Sequence, residues 1–374
     1  MSALRGSSVA LIIGLVISPS LSAQSSVQAV ALPDSALKVT YAAFVDGYYA
    51  YDFNRPPTFD RSFTTQAARH NEFNVNLAFV EAKLEARGLR GRLALQAGTS
   101  VQSNYAGEPR NGIVSGPELA RFIQEAVVGV RVGSDVWIDG GIFFSHIGME
   151  GFVSRDNLLY TRSLVADFSP YYESGVKGSW RVTPALSAQV AIVNGWQIIS
   201  ESNSAKSAGV RLDYAPSANA TFSYYNYLGD EAPDTALQSR YRFYQGAGIK
   251  VGSATGPQLV AEFDYGTERR GSGRTRSSWH GGMLAGRYQA TSVAVLVARV
   301  ERYVDADQTI VATGTPDGLR ASGASVGVDV APQPRVQWRT EFRGLRDRHA
   351  VFMRRGNVPS AADAVIVSSL ALTF

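Results

Sequence analysis

The feature that most limits what this chain can become is a two-residue alternation of apolar and polar side chains, recurring from about residue 38 to the last residue. Successive side chains of an extended strand point to opposite faces, so such a pattern builds one apolar and one polar face. Arg335-Val336-Gln337-Trp338-Arg339-Thr340-Glu341-Phe342-Arg343 is the clearest instance, with a charge or amide at every second site. Arg92-Leu93-Ala94-Leu95-Gln96-Ala97 repeats it, and Arg211 with Asp213, Arg240 with Arg242 and Lys250, and Glu262 with Asp264 mark further polar faces. The last ten residues place Ile366, Leu370, Leu372 and Phe374 on one side and Ser369, Ala371 and Thr373 on the other. An apolar face that closes on an aromatic points to lipid outside and water inside, the arrangement of a transmembrane barrel.

Bulk composition conceals that face. With 36 Gly, 17 Tyr, 17 Phe and 5 Trp in 374 residues the mean hydropathy is near zero, as interleaving requires, whereas a helical membrane protein carries long apolar runs. One short apolar run, Val9 to Ile17, follows Arg5 and precedes Ser20-Leu21-Ser22-Ala23. It falls well below the roughly 20 residues of a spanning helix and has the layout of a secretory signal. The expected organisation is a signal peptide over 1–23, a short periplasmic segment over 24–37 and a barrel over 38–374. No cysteine is present, which excludes disulfides, thiol chemistry, lipid anchoring through Cys and Cys-ligated metal. The formal charge of +4 becomes +3 once Arg5 leaves with the signal. Interspersed charge of that size argues against nucleic-acid binding.

Connections between the alternating segments come in two lengths. Short polar or Gly/Pro turns are expected at 88–90, 133–135, 182–184, 215–217, 253–256, 290–291 and 331–333. Longer charged or Gly-rich stretches occupy 53–69, 103–121, 150–171, 197–204, 229–239, 268–276, 305–319 and 347–361. Seven short and eight long connections that alternate without exception require sixteen strands with both ends on the periplasmic side. Reading 163–168 as a further strand would put the turn at Val182-Thr183-Pro184 on the wrong face, so 150–171 forms one long third loop. The expected fold is therefore all-β: a closed antiparallel transmembrane β-barrel of about 16 strands in a bacterial outer membrane, with short periplasmic turns and longer extracellular loops. Sixteen strands enclose water, eight are filled by side chains, and the chain is too short for a plugged 22-stranded transporter.

Aromatic residues gather near strand ends: Tyr48, Tyr49 and Tyr51, Tyr171 and Tyr172, Tyr224, Tyr225 and Tyr227, and Tyr241 with Phe243. They predict interfacial girdles. The apolar phase shifts near Phe79 and Val80, which predicts a bulge there. Pro117 to Ile123 predicts a short helical turn with Leu119, Phe122 and Ile123 inward, and Phe374 is the expected signal to the barrel-assembly machinery.

Five stretches, Ile123-Gln124-Glu125-Ala126, His146-Ile147-Gly148-Met149-Glu150, Arg162-Ser163-Leu164, Val193-Asn194-Gly195-Trp196 and Arg299-Val300-Glu301-Arg302-Tyr303, together resemble the outer-membrane β-barrel porins of the OmpL-like type. The resemblance spans most of the mature chain. It implies a bacterial outer-membrane barrel that passes solutes, with no assigned substrate and no functional residues to carry over.

A long loop after the fifth strand that entered the lumen would set a constriction. Glu150, Arg155, Asp156, Arg162 and Asp167 lie in or beside that loop, and opposed charges across a narrow aqueous eyelet filter solutes by size and charge. Arg92, Lys177, Arg211, Arg242, Arg339, Glu341 and Arg343 are the expected pore-lining charges. The alternative is a loop packed outside as a solvated lid. The net positive charge and the ladder Arg335, Arg339 and Arg343 predict a weak anion preference. His70, His146, His280 and His349 carry no nucleophile-and-base signature, and the His146–Glu150 spacing suits zinc only on a helix, whereas Ile142 to Ser145 reads as strand. No glycine cluster leads into a phosphate-binding helix. No catalytic residue, metal or cofactor is expected. The run from Arg269 to Arg276 could meet lipopolysaccharide phosphates or form a solvated loop tip.

The expected function is an outer-membrane porin, a passive diffusion channel for ions and small hydrophilic solutes. Its expected partners are membrane lipid, lipopolysaccharide, the assembly machinery and further copies in a homotrimer. The rivals are a substrate-specific channel for anions or sugars, and a surface adhesin or structural barrel with a blocked lumen.

Overall fold

The structure, a computed structural model, describes residues 37–253, 255–270 and 276–374. The expected signal peptide, the periplasmic segment up to residue 36 and the middle of the Arg269–Arg276 loop lie outside the described residues. The alternating segments form β1 (Lys38–Asp52), β2 (Phe73–Ala86), β3 (Leu89–Ala97), β4 (Ile123–Arg131), β5 (Val136–Phe144), β6 (Tyr172–Arg181), β7 (Leu186–Val193) and β8 (Ser207–Ser217). They continue as β9 (Ala220–Asp230), β10 (Arg240–Gly252), β11 (Gln258–Arg270), β12 (Arg276–Gln289), β13 (Ala294–Asp305), β14 (Leu319–Gln333) and β15 (Val336–Arg346). A small hairpin, β16 (Phe352–Arg354) with β17 (Val358–Ser360), sits inside the last loop before β18 (Ala362–Thr373).

Sixteen of these strands form one closed antiparallel barrel. Closure is made by β1 and β18, in register from Phe44 opposite Thr373 to Asp52 opposite Val365. Beyond that ladder the Phe374 N–H donates to the Ala43 carbonyl at 2.9 Å and the Ala43 N–H to the Phe374 carbonyl at 3.2 Å. A closed sheet leaves no unpaired edge, which is what a bilayer core demands of strands. Leu93, Leu95, Phe263, Val300, Val326 and Leu370 are exposed on the outer wall, while their neighbours Gln96, Asp264, Arg299, Ser325 and Ser369 are buried on the inner one.

Among the described residues the long connections hold three short α-helices, α1 (Thr99–Tyr105), α2 (Pro117–Ala120) and α3 (Leu164–Asp167), and a 3-10 turn at Ser154–Asp156. Long and short connections alternate as expected, with two turns displaced. Residues 215–217 and 331–333 are still strand, because β8 and β14 run on through register irregularities at Tyr214/Ser217 and Val330/Gln333. The bulge expected at Phe79 and Val80 lies earlier. Asp46 pairs with Leu77 and Gly47 with Val75, so Asn76 is the extra residue, and its side chain is used to donate to Asp46 at 3.0 Å. Segment 117–120 is helical, but Leu119 and Phe122 are exposed and only Ala120 of the helix is buried. The large apolar residues that loop buries are Val101 and Tyr105 of α1. The aromatic girdle is also thinner than expected. Tyr224, Tyr241 and Phe243 are exposed on the outer wall, whereas Tyr48, Tyr172, Tyr225 and Tyr227 are buried inside, because consecutive residues on a strand take opposite faces, and Tyr171 is buried as part of the third loop.

Candidate functional site

The third loop, residues 145–171, enters the lumen and is fixed there by charged side chains from opposite walls. Asp46 of β1 accepts from Ser154 Oγ at 2.7 Å and from the Tyr160 hydroxyl at 3.2 Å. Glu341 of β15 accepts from the Thr161 N–H at 2.8 Å and its hydroxyl at 2.6 Å. Glu301 of β13 accepts from the Leu164 N–H at 2.6 Å and forms a two-pronged pair with Arg343, both bonds 2.9 Å. Arg299 donates to the Thr161 carbonyl at 2.6 Å and stands 3.5 Å from Glu150. Arg339 donates to the carbonyls of Ser154, Asn157 and Leu158, at 2.7, 3.2 and 2.6 Å, while pairing with Asp329. Charge-assisted bonds in a dry interior are strong when every partner is present. On the far wall, the Met149 N–H donates to Glu262 at 3.0 Å, and Arg211 donates to the carbonyls of His146 and Gly148, both at 2.9 Å.

The loop also braces itself. Asn157 bonds both polar groups of Gly151, at 2.7 and 2.9 Å, and the Ser163 hydroxyl caps the short helix α3. Glu150 accepts from the Ser163 N–H at 2.8 Å, and burial raises its proton affinity against the opposing pull of Arg299 and Ser163. Asp167 is likewise pushed up by burial, against Arg162, and accepts from the Thr65 hydroxyl at 2.5 Å. Burial lowers the Arg162 pKa, and its guanidinium lies 3.2 Å from the Tyr171 ring centre. Of the five loop residues singled out in the sequence, Arg162 and Asp167 are therefore enclosed in packing, while Glu150, held by Ser163 and Arg299, borders a cavity. Arg155 and Asp156 reach a water-accessible space.

That space lies toward the short turns. A cavity of about 600 Å³ is lined by Arg155, Asp156, Asn157, Leu158, Lys250, Gln258, Arg287 and Asp329, with residues of the turns at Thr255 and Ser292. A neighbouring one of about 320 Å³ shares Asp156, Asn157, Leu158, Lys250 and Gln258 and adds Glu150, Arg211 and Asp213. A third, also about 320 Å³, is lined by Arg90, Arg92, Glu125, Asp139 and Lys177. In it Arg92 bonds Glu81 at 2.8 Å and pairs with Glu125, and the Lys177 ammonium lies 4.2 Å from the Phe143 ring centre.

The expected pore-lining set therefore divides. Arg92, Lys177 and Arg211 border cavities. Arg242, Arg339, Glu341 and Arg343 point inward but are buried, so the expectation that they face water is not met: the third loop covers the last three. Arg242 pairs with Glu268 at 2.7 Å between Trp196 and Trp279. Arg335 sits in the exposed turn before β15, outside the inner wall. The residues that sequence reasoning passed over are Arg299 and Glu301 as loop anchors, and Arg287 and Asp329 as cavity walls. Arg299 and Glu301 stand two residues apart on the inward face of β13, and Arg287 and Asp329 are single inward charges on β12 and β14, but nothing in one strand says which loop meets them.

Toward the long loops the inner wall is aromatic. Tyr225, Tyr227, Tyr244, Trp279 and Tyr303 are buried against Leu164 and Phe168 of the third loop, Val311 of the seventh and Phe352 of β16. His146 lies at the edge of this packing. Its two ring nitrogens face the Glu173 carboxylate at 2.9 Å and the Asn226 carbonyl at 2.8 Å, so both are engaged.

The profile of the family described as Putative beta-barrel porin-2, OmpL-like, matches residues 38–374. No curated protein matches the chain. Among solved structures, the anion-selective porin from Comamonas acidovorans superposes with a TM-score of 0.57 at 12% identity, covering 91% of this chain and 100% of its own. OmpT of Vibrio cholerae, in a trimer form, gives 0.55 at 8% identity over 91% and 100%. Salmonella typhi OmpF in complex with daunomycin gives 0.57 at 12% identity over 90% and 98%. At such identities these likenesses speak to the fold.

Proposed function

The chain belongs to the OmpL-like beta-barrel porin-2 family and is a bacterial outer-membrane porin, and from that premise we propose that it lets ions and small hydrophilic solutes diffuse passively past the tip of its third loop. Family and fold are those of a non-enzymatic channel. The supporting observation is the pair of cavities that meet at Asp156, Asn157, Leu158, Lys250 and Gln258. Arg155, Lys250 and Arg287 line that space together with Asp156, which pairs with Arg155 at 3.5 Å, and Asp329; charges lining a narrow aqueous passage filter by sign. Asp329 is already committed to Arg339 at 3.0 Å, which leaves the wall net positive and favours a weak anion preference.

Purified protein in planar bilayers tests this. Discrete conductance steps, with a reversal potential under a salt gradient displaced toward the anion side, are expected. A folded barrel that stays electrically silent would instead support the rival reading, a structural barrel with a blocked lumen, which the buried aromatic layer around Trp279 favours. We further propose removal of residues 1–23, checked by sequencing the mature N-terminus. Recognition of Phe374 by the assembly machinery and association as a trimer, the form in which the similar Vibrio cholerae OmpT is described, belong to the same reading. Light scattering of the detergent-solubilised protein reads the last.

A further inference from the structure

The buried arginines of the inner wall, Arg242, Arg299, Arg339 and Arg343, are each paired with a carboxylate; among the described residues, a group on the outer wall is not. Arg302 of β13 stands in register with Ser322 of β14, and Ser322 with Arg346 of β15. Arg320 lies two residues further along β14 toward the seventh loop. Their parity is that of the exposed Val300, Val326 and Phe342, so all three face the membrane side. Two strands away, Arg269 of β11 is directly opposite Arg276 of β12, on the face that carries Tyr265 and Leu284.

Among the described residues no carboxylate comes within ion-pair distance of any of these five guanidinium groups. Arg302 has only the Ser322 hydroxyl, at 2.8 Å. Arg320 Nε is buried with no hydrogen-bond partner. The nearby acids are engaged first elsewhere: Asp317 with Arg348 and His349, at 3.2 and 3.0 Å, feeling the Arg320 charge only at longer range, and Asp347 with the backbone N–H groups of Arg320 and His349, at 2.5 and 2.7 Å. Like charges placed opposite each other on one face repel, and unpaired arginine on a lipid-facing wall costs about 2–4 kcal/mol at mid-membrane but about 0–1 at its edge. All five occupy the first or last four residues of their strands, at the long-loop end. At that end β2, β9 and β10 instead expose Phe73, Leu228, Tyr241 and Phe243. The cationic rim is therefore confined to one sector.

We propose that the outer wall from β11 to β15 is a binding site for a phosphorylated glycolipid of the outer leaflet, its phosphates held by Arg302, Arg320 and Arg346 and its acyl chains lying on Val300, Val326 and Phe342. The guanidinium fork matches a phosphate in two-pronged geometry. Strand spacing of about 4.8 Å and a rise of about 3.3 Å per residue set the three groups roughly 7–10 Å apart. Two phosphate groups on one headgroup can be met at that spacing. Placement in the outer membrane is all that this site requires, and it stands whether or not the lumen conducts.

Native mass spectrometry of the full-length protein in detergent tests it, with three probes: bisphosphorylated lipid A, the same lipid with its phosphates removed, and inorganic phosphate. Bisphosphorylated lipid A is expected to bind about tenfold tighter than the dephosphorylated form, and R302Q/R320Q/R346Q is expected to abolish that difference. The variant should keep the heat-modifiable mobility of a folded barrel and the conductance of the parent. Equal binding of the two lipids by the parent protein overturns the site even if the variant fails to fold. An undiminished preference in a folded variant also overturns it. Complete displacement of lipid A by inorganic phosphate would show a site for the free anion and overturn the lipid assignment.

Discussion

At the residue scale, His146 shows how a single side chain joins loop to wall. A backbone carbonyl can only accept, so the ring nitrogen facing Asn226 carries a proton, and the one facing Glu173 donates to a carboxylate. Burial alone would lower the pKa of this imidazole, but the charge and hydrogen bond of Glu173 outweigh it and raise the value above the ordinary 6.5. A raised folded-state value means that the stabilisation is complete below about pH 6.5 and is lost as the pH climbs through the higher folded value. Thermal unfolding of the detergent-solubilised barrel between roughly pH 5 and pH 9 should therefore show a midpoint that falls with pH, and His146→Gln should flatten that dependence. An unchanged slope in the variant would remove His146 from the account. The ring fits because Gly209 has no side chain: a β-carbon there would lie 2.1 Å from His146 Nε2 and 2.7 Å from the Asn226 carbonyl. Gly209→Ala should cost about 1–3 kcal/mol of stability as an overpacking change, measured as a lowered unfolding midpoint.

At the scale of elements, the third loop behaves as a lumen wall held by buried ion pairs. Removing one partner of such a pair strands the other charge and costs about 3–5 kcal/mol. Glu301→Gln leaves Arg343 and Arg299 without their nearest carboxylate, so the loop should loosen while the sheet stays closed. Limited trypsin digestion should then cut after Arg155 or Arg162 faster than in the parent protein; equal protection would contradict this role. The barrel strands were readable because each carries its own period-two pattern, and even the position of the long loops followed from which connections were short; the small β16–β17 hairpin, three residues a side, fell inside the last of those loops. The anchoring was not readable. Glu150, Thr161 and Leu164 meet Arg299, Glu341 and Glu301 from 137 to 180 residues away in sequence, and no local pattern records which lumen charge a loop backbone will need. The misplaced bulge has the same origin, since Asn76 is extruded to satisfy Asp46 on the next strand.

At the scale of the whole molecule, selectivity should follow the charges that water reaches. Lys250→Gln with Arg287→Gln should move the reversal potential toward cations, since both residues line the 600 Å³ cavity. Arg339→Gln with Arg343→Gln should instead raise or destabilise the conductance, because those side chains hold the loop and are buried from solvent. A pure shift in selectivity from the second pair, with steady conductance, would reverse this assignment. Taken alone, the sequence determined a closed antiparallel barrel with an apolar exterior, because side-chain parity along a strand is a local property that each segment states for itself. Only the tertiary structure decided which inward charges face water, which are consumed in anchoring the third loop, and which outward arginines lack a partner. Those outcomes depend on neighbours brought together by closure, and pairing across a lumen has no period along the chain.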